Sequence, residues 1–158
     1  MTLSRTLLIG LAAGGSAFLL LAAFGFQHLG GLPPCQLCLW QRWPHAAAVA
    51  IGALALAVPG ALPALFGAAA AAATGGIGLY HAGVERGLWA GPESCSGGAP
   101  VGDLSVEELT AQIMAAPVVR CDEVAWAFAG LSMAEWNALL SFALAGLWVA
   151  AALRAWKV

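Results

Sequence analysis

Charge is what this chain has least of. Of its 158 residues only six are Lys or Arg and eight are Asp or Glu, 9% in all, while 61% are hydrophobic; soluble domains carry about a quarter charged residues. That deficit excludes an ordinary soluble domain and points to a membrane protein. The formal net charge of −2 offers no basic surface to a phosphate backbone, so no nucleic-acid partner is expected. In places the absence is complete: no Asp, Glu, Lys or Arg occurs from Trp43 to Val84.

The charges that are present are segregated. All eight acids (Glu85, Glu93, Asp103, Glu107, Glu108, Asp122, Glu123, Glu135) fall between positions 85 and 135. Of the basic residues, Arg5 lies near the start and Arg154 and Lys157 near the end, so the positive-inside rule puts both ends on the cytoplasmic side.

Leu7 to Phe26 runs for twenty residues without a charge, enough at about 1.5 Å per residue to cross a hydrocarbon core of about 30 Å. A cleaved signal peptide is the competing reading, but its apolar region is shorter, about 7–15 residues. The charge-free stretch 43–84 is too long for one span and suits two, joined at "VPGALP" (58–63), where proline and glycine favour a turn. A last span occupies Trp136 to Leu153. The expected fold is therefore an all-α membrane protein, a single domain over 1–158. It is a four-transmembrane-helix bundle with spans near 7–26, 40–58, 63–83 and 136–153, and non-cytoplasmic loops near 27–39 and 84–135. Within the second loop, Ser105 and Glu108 stand at capping-box spacing, with Val106, Leu109 and Ile113 on one helical face and Pro117 after them. That predicts a short amphipathic helix, lying either on membrane lipid or on the protein's own loop.

The four cysteines, Cys35, Cys38, Cys95 and Cys121, all lie in these two loops, on one side of the membrane. That placement suits an oxidising compartment such as the bacterial periplasm. Cys35-Gln36-Leu37-Cys38 forms a CxxC, which near a helix N-terminus can be a redox dithiol. By residue type alone it could equally be a structural disulfide or a metal half-site completed by His28 or His45. Arg42 follows Cys38 at i+4, so its guanidinium can face the sulfur, favour the thiolate and disfavour a divalent metal; otherwise it reaches the interface and does nothing more. A disulfide between Cys95 and Cys121 would close a loop with twenty-five residues between them, restricting the unfolded chain by roughly 3.5 kcal/mol. Two pairs on one face could also exchange disulfides if the loops meet, which spacing does not decide. His81 and Glu85, at i and i+4, either pair with each other or line a pocket at the membrane edge. Tryptophans at 40, 43, 89, 136 and 156 flank the span ends as interfacial anchors do.

Several pieces match a known pattern: "FQH" at 26–28, "PCQLCLWQR" at 34–42, "HAGVE" at 81–85, the two later cysteines, and "CDEVAWAFAGLSMAEWN" at 121–137. Their order and spacing resemble those of the DsbB family, the disulfide bond formation protein B of bacterial inner membranes. The resemblance implies a protein-dithiol:quinone oxidoreductase that reoxidises a DsbA-like periplasmic thiol oxidase and passes the electrons to the membrane quinone pool, ubiquinone or menaquinone. It implies that Cys95 forms the mixed disulfide with that partner and that Cys121 is its loop mate. Cys35 then exchanges with the loop pair, and Cys38 faces the quinone with Arg42 beside it. His81, and with it Glu85, falls where the family has a quinone-proximal "HxxLQ" element, Glu85 standing in place of the usual glutamine. No resident metal is implied. A DsbA-type oxidant is stronger than the glutathione pool, so only a stronger acceptor regenerates it; this carrier chain is the known means by which bacteria keep the periplasm oxidising. Two other readings fit less well. In proteins resembling vitamin K epoxide reductase the two cysteine pairs come in the opposite order, and a non-enzymatic metal-binding membrane protein would need Cys35, Cys38 and a histidine.

Overall fold

The computed structural model describes residues 3–92, 105–115 and 119–155. Helix α1 (Arg5–His28) starts where the Ser4 Oγ accepts the Leu7 N–H at 3.2 Å, an N-cap that satisfies one of the free donors of the first turn. Helix α2 (Gln36–Ala57) is capped in the same way by a cysteine: the Cys35 Sγ accepts the Cys38 N–H at 3.2 Å. After a turn at Val58 to Ala61, with Gly60 at a φ of 107° that favours glycine, α3 covers Leu62–Glu85 with proline in its first turn. Short helix α4 (Val106–Ala115) follows, then a hairpin of β1 (Ala127–Phe128) and β2 (Leu131–Ser132), then α5 (Met133–Ala155).

The four long helices form a bundle in which α1 and α3 each pack against both α2 and α5. Small residues make the close approach possible. Ala64, Gly67, Ala68, Ala71, Thr74, Gly75 and Gly78 run as a buried stripe along α3. Trp148 of α5, fully buried, lies over Gly67, where a Cβ would come within 2.5 Å of the indole. Large apolar side chains point outward instead, among them Phe18, Leu21, Leu54, Phe66, Leu79 and Leu139. A greasy exterior around a core of alanine and glycine is the arrangement a bilayer allows and water penalises.

Three helices, α1, α3 and α5, are long and apolar enough to cross a membrane. The chain is thus a multi-pass helical membrane protein. Helix α2, the other expected span, is not among them. Its 22 residues would cover about 33 Å, but it carries Gln41, Arg42, Pro44 and His45. Gln41 and His45 are buried, turned into the bundle rather than outward. At the end of the bundle that holds the α2–α3 turn, Arg5 Nη2 donates to the carbonyls of Ala55, Val58 and Gly60 at 2.9, 3.1 and 3.1 Å. Cys35, Cys38 and Cys121 gather at the opposite end.

In α4 the capping box forms as its spacing predicts: the Ser105 N–H and hydroxyl donate to Glu108 Oε2 at 3.0 and 2.8 Å, and the Glu108 N–H returns to Ser105 Oγ at 3.3 Å. The Ser105 backbone N–H and then its hydroxyl hold the Glu108 carboxyl below the usual carboxylate range. The expectations for the Leu109 and Ile113 side chains and for Pro117 lie outside the described residues.

Candidate active site

Because Cys35 caps α2 and Cys38 lies in its first turn, both sulfurs face the same corner of the bundle. Both are free, with Sγ atoms 2.7 Å apart. The segment before β1 brings Cys121, disulfide-bonded and fully buried, into the same small cluster as Cys35, Leu37 and Val84, with Cys38 and Val119 packed against it. The two loops therefore meet at the dithiol. Cys95 lies outside the described residues.

His81, at the end of α3, joins these groups. Its Nε2 lies 3.6 Å from Cys35 Sγ and 3.8 Å from Glu85 Oε1, and the Cys121 backbone accepts a hydrogen bond from the ring. Glu85 receives a short hydrogen bond from the Ser132 hydroxyl. Ser132 also donates its N–H to Glu135 Oε2 at 2.8 Å, and Glu135 pairs with Arg86. The i, i+4 pair of His81 and Glu85 thus does both things its spacing allows, since the two side chains approach each other and also line the cleft described below.

Arg42 behaves differently from the simplest expectation. Its Nη1 donates to Gln27 Oε1 at 2.6 Å and its Nη2 to the Ala23 carbonyl at 3.3 Å, and the guanidinium stands 4.8 Å above the Phe24 ring. These anchors are all on α1; among the described residues no hydrogen bond joins Arg42 to Cys38. Its Nε–H is buried without a partner.

A family model described as "Disulfide bond formation protein DsbB" matches residues 4–151. The chain belongs to the DsbB family. Among curated proteins it is similar to "Uncharacterized protein RP370" of Rickettsia prowazekii (strain Madrid E), 26% identical over 133 residues, 82% of this chain and 77% of that protein. No solved structure matches the chain significantly. Membership makes this DsbB-family protein a membrane oxidoreductase of disulfide formation.

In this DsbB-family chain a cleft of about 200 Å³ opens beside the dithiol. Leu19, Ala22, Ala23 and Phe26 of α1 give it an apolar wall, Trp126 and Trp136 flank it, and Cys38, Arg42, His81 and Glu85 supply its polar end. Flat aromatic walls with a few donors at one end suit a planar ring bearing acceptor oxygens.

Metal ligation is also geometrically near, since Cys35, Cys38 and His81 offer ligand atoms within 4.8 Å of one another. The histidines expected to complete that set are engaged elsewhere: His28 stacks on Phe24 with centroids 6.3 Å apart, and His45 Nε2 bonds Asn137 Oδ1 at 2.8 Å. Two sulfurs on one tetrahedral zinc, with Zn–S near 2.3 Å, would also stand roughly 3.7 Å apart, wider than the 2.7 Å seen here.

Sequence reasoning missed Gln27, Gln41 and Asn137 as site residues. Each is an isolated amide in an apolar helix, and polarity at membrane depth was the available signal.

Proposed function

We propose that this protein reoxidises a DsbA-like periplasmic thiol oxidase and delivers the electrons to a membrane quinone. The observation that carries the proposal is the buried meeting of disulfide-bonded Cys121 with the free Cys35 and Cys38 at the mouth of an apolar cleft. Four spans are proposed, with α2 crossing beside its three apolar neighbours in a bacterial inner membrane. The termini and the α2–α3 turn would be cytoplasmic and the cysteines periplasmic. Support comes from the segregation of Arg5 and of Cys35, Cys38 and Cys121 to opposite ends of the bundle.

The partner's thiolate attacks Cys95 of a Cys95–Cys121 disulfide, and Cys121 leaves as a thiolate. Cys121 then attacks Cys35 of an oxidised Cys35–Cys38 pair, and Cys38 leaves with the electron pair, its sulfur facing the cleft. The partner's second thiolate displaces Cys95, which leaves the partner oxidised, and Cys95 attacks Cys121 to restore the loop disulfide and release Cys35. A quinone, ubiquinone or menaquinone, supplies the two-electron acceptor when bound in the cleft. Arg42 would hold a ring oxygen, with His81 lining the same polar end, while Phe26, Trp126 and Trp136 keep water from the reacting sulfur. Glu85 lines the same wall.

Anaerobic mixing of the purified protein with a reduced DsbA-like partner and a quinone tests this. Stoichiometric quinol is expected, and Cys38→Ser should form none. Quinol formation at the normal rate in that variant would overturn the assignment. The Cys35, Cys38 and His81 cluster favours one other reading, a metal site, and stoichiometric zinc with four titratable thiols in the purified protein would establish it instead.

A further inference from the structure

A file of hydrogen-bonded side chains runs through the bundle and ends at the dithiol. It begins at His45 of α2, whose Nε2 is 2.8 Å from Asn137 Oδ1 of α5. Asn137 Nδ2 lies 2.7 Å from Gln41 Oε1, and Gln41 Nε2 lies 3.0 Å from His81 Nδ1. His45, Gln41 and His81 are buried, as is Thr74 at the flank of the file. Polar groups in such an interior are costly unless each is satisfied in a consistent donor–acceptor order.

That order is set by backbone carbonyls, which can only accept. Leu37 C=O lies 3.1 Å from one atom of the Gln41 amide, so that atom is the NH2 nitrogen. The other Gln41 amide atom is the acceptor for Asn137, whose own NH2 also faces the Thr74 carbonyl at 3.4 Å. Asn137 Oδ1 therefore accepts from the His45 Nε2–H and from the Ser141 hydroxyl, 3.4 Å away. At the far end Gln41 gives its second hydrogen to His81 Nδ1, which must present a lone pair. A neutral His81 then carries its proton on Nε2. That is the nitrogen facing Cys35 Sγ at 3.6 Å, where the Cys38 N–H also arrives, at 3.2 Å.

We propose that Gln41 and Asn137 are positioning residues that lock His81 in the Nε2–H tautomer, so that Cys35 meets a second hydrogen-bond donor whenever it is released from a disulfide. In such an exchange an incoming thiolate bonds to the sulfur that was joined to Cys35, the old S–S bond breaks, and Cys35 keeps the electron pair. His81 keeps its proton and contributes the hydrogen bond alone. The Cys121 backbone carbonyl and Glu85 Oε1, 3.8 Å from the same nitrogen, compete with Cys35 for that N–H, and the Ser132 hydroxyl bonded to Glu85 limits the competition from the carboxylate. Because the donors stabilise the reduced pair, the file makes Cys35–Cys38 a stronger oxidant. The inference rests on the thiol–disulfide reading above, yet it is testable with neither partner nor quinone present.

The test uses full-length protein labelled with ¹⁵N-histidine in detergent micelles, its Cys35–Cys38 pair reduced, with the His81 resonances assigned by their loss in His81→Gln. The nitrogen shifts should report a proton on Nε2 and a lone pair on Nδ1. Site-resolved thiol trapping in dithiothreitol buffers then measures the Cys35–Cys38 equilibrium. In Gln41→Leu and Asn137→Leu that equilibrium should move about tenfold toward the disulfide, about 30 mV for two electrons, and the His81 shifts should move toward a tautomer mixture. A wild-type His81 protonated on Nδ1 would overturn the inference, as would wild-type equilibria in both variants. The wild-type tautomer needs no variant, so a variant that fails to fold does not shield the proposal. Failure here would leave quinol formation untouched, and failure of quinol formation would leave the tautomer untouched.

Discussion

Arg42 of α2 is tied to Gln27 of α1, Nη1 to Oε1, across 2.6 Å. The bond holds the guanidinium against α1, where Arg42 lines the polar end of the cleft. Arg42→Ala should therefore raise the apparent quinone KM at least tenfold, the scale of a lost hydrogen bond to a charged group of about 1.5–3 kcal/mol. Gln27→Leu, which frees the arginine but keeps its charge, should raise KM by less. Steady-state kinetics against a soluble quinone analogue decide; a wild-type KM in Arg42→Ala would mean that the arginine merely reaches toward the interface.

The contrast between Arg42 and Arg5 marks how far the sequence was legible. Runs without charge located α1, α3 and α5, the "VPGALP" turn separated α2 from α3, and Ser105 with Glu108 marked the start of α4, because each of these is a local rule acting within a few residues. The hairpin escaped notice: its turn uses Ala129 and Gly130, both at positive φ, where Asn-Gly is the recognisable signal. The approach of Cys121 to Cys35 and the file from His45 to His81 depend on which helices become neighbours, and no spacing along the chain encodes that. Arg5 read only as a marker of sidedness, yet it fastens a turn more than fifty residues away.

For that reason Arg5→Leu should destabilise the folded bundle. Its Nη2 serves carbonyls at the C-terminal end of α2 and in the turn beyond, groups that have no helical donor of their own. Replacement should cost about 1–3 kcal/mol, read as a lower midpoint of thermal unfolding in detergent. Arg5→Lys keeps the positive charge that orients insertion but lacks the planar fork, so it should recover only part of the loss. An unchanged midpoint in both variants would show that the clamp contributes nothing.

Gly67 and Gly10 offer a paired test of the packing. A Cβ on Gly67 would lie 2.5 Å from the Trp148 indole, whereas one on Gly10 meets nothing within 4 Å. Gly67→Ala should cost about 1–3 kcal/mol by overpacking, partly offset by the better helix propensity of alanine, about 1 kcal/mol. Gly10→Ala receives the propensity gain without the clash and should be neutral or stabilising. Equal midpoints for the two variants would mean that α5 does not seat Trp148 against α3 as described.

The closeness of Cys121 to the dithiol predicts what happens when Cys38 cannot resolve. In Cys38→Ser, Cys35 keeps its place as the cap of α2, inside the cluster it shares with Cys121. Its thiolate should attack Cys121, forming a Cys35–Cys121 bond and expelling the sulfur to which Cys121 was joined, which under the proposed pairing is Cys95. Serine at position 38 cannot attack Cys35 to release Cys121, so Cys95 is left to reverse the step, and the bond between the loops should accumulate and be recovered as a linked peptide on non-reducing digestion. One thiol, on Cys95, should remain. Recovery of a Cys35–Cys95 peptide would instead assign to Cys95 the place proposed for Cys121. Recovery of the untouched loop disulfide beside a free Cys35 would mean that burial holds the two pairs together without letting them exchange, because thiol–disulfide exchange needs the attacking sulfur in line with the bond it breaks.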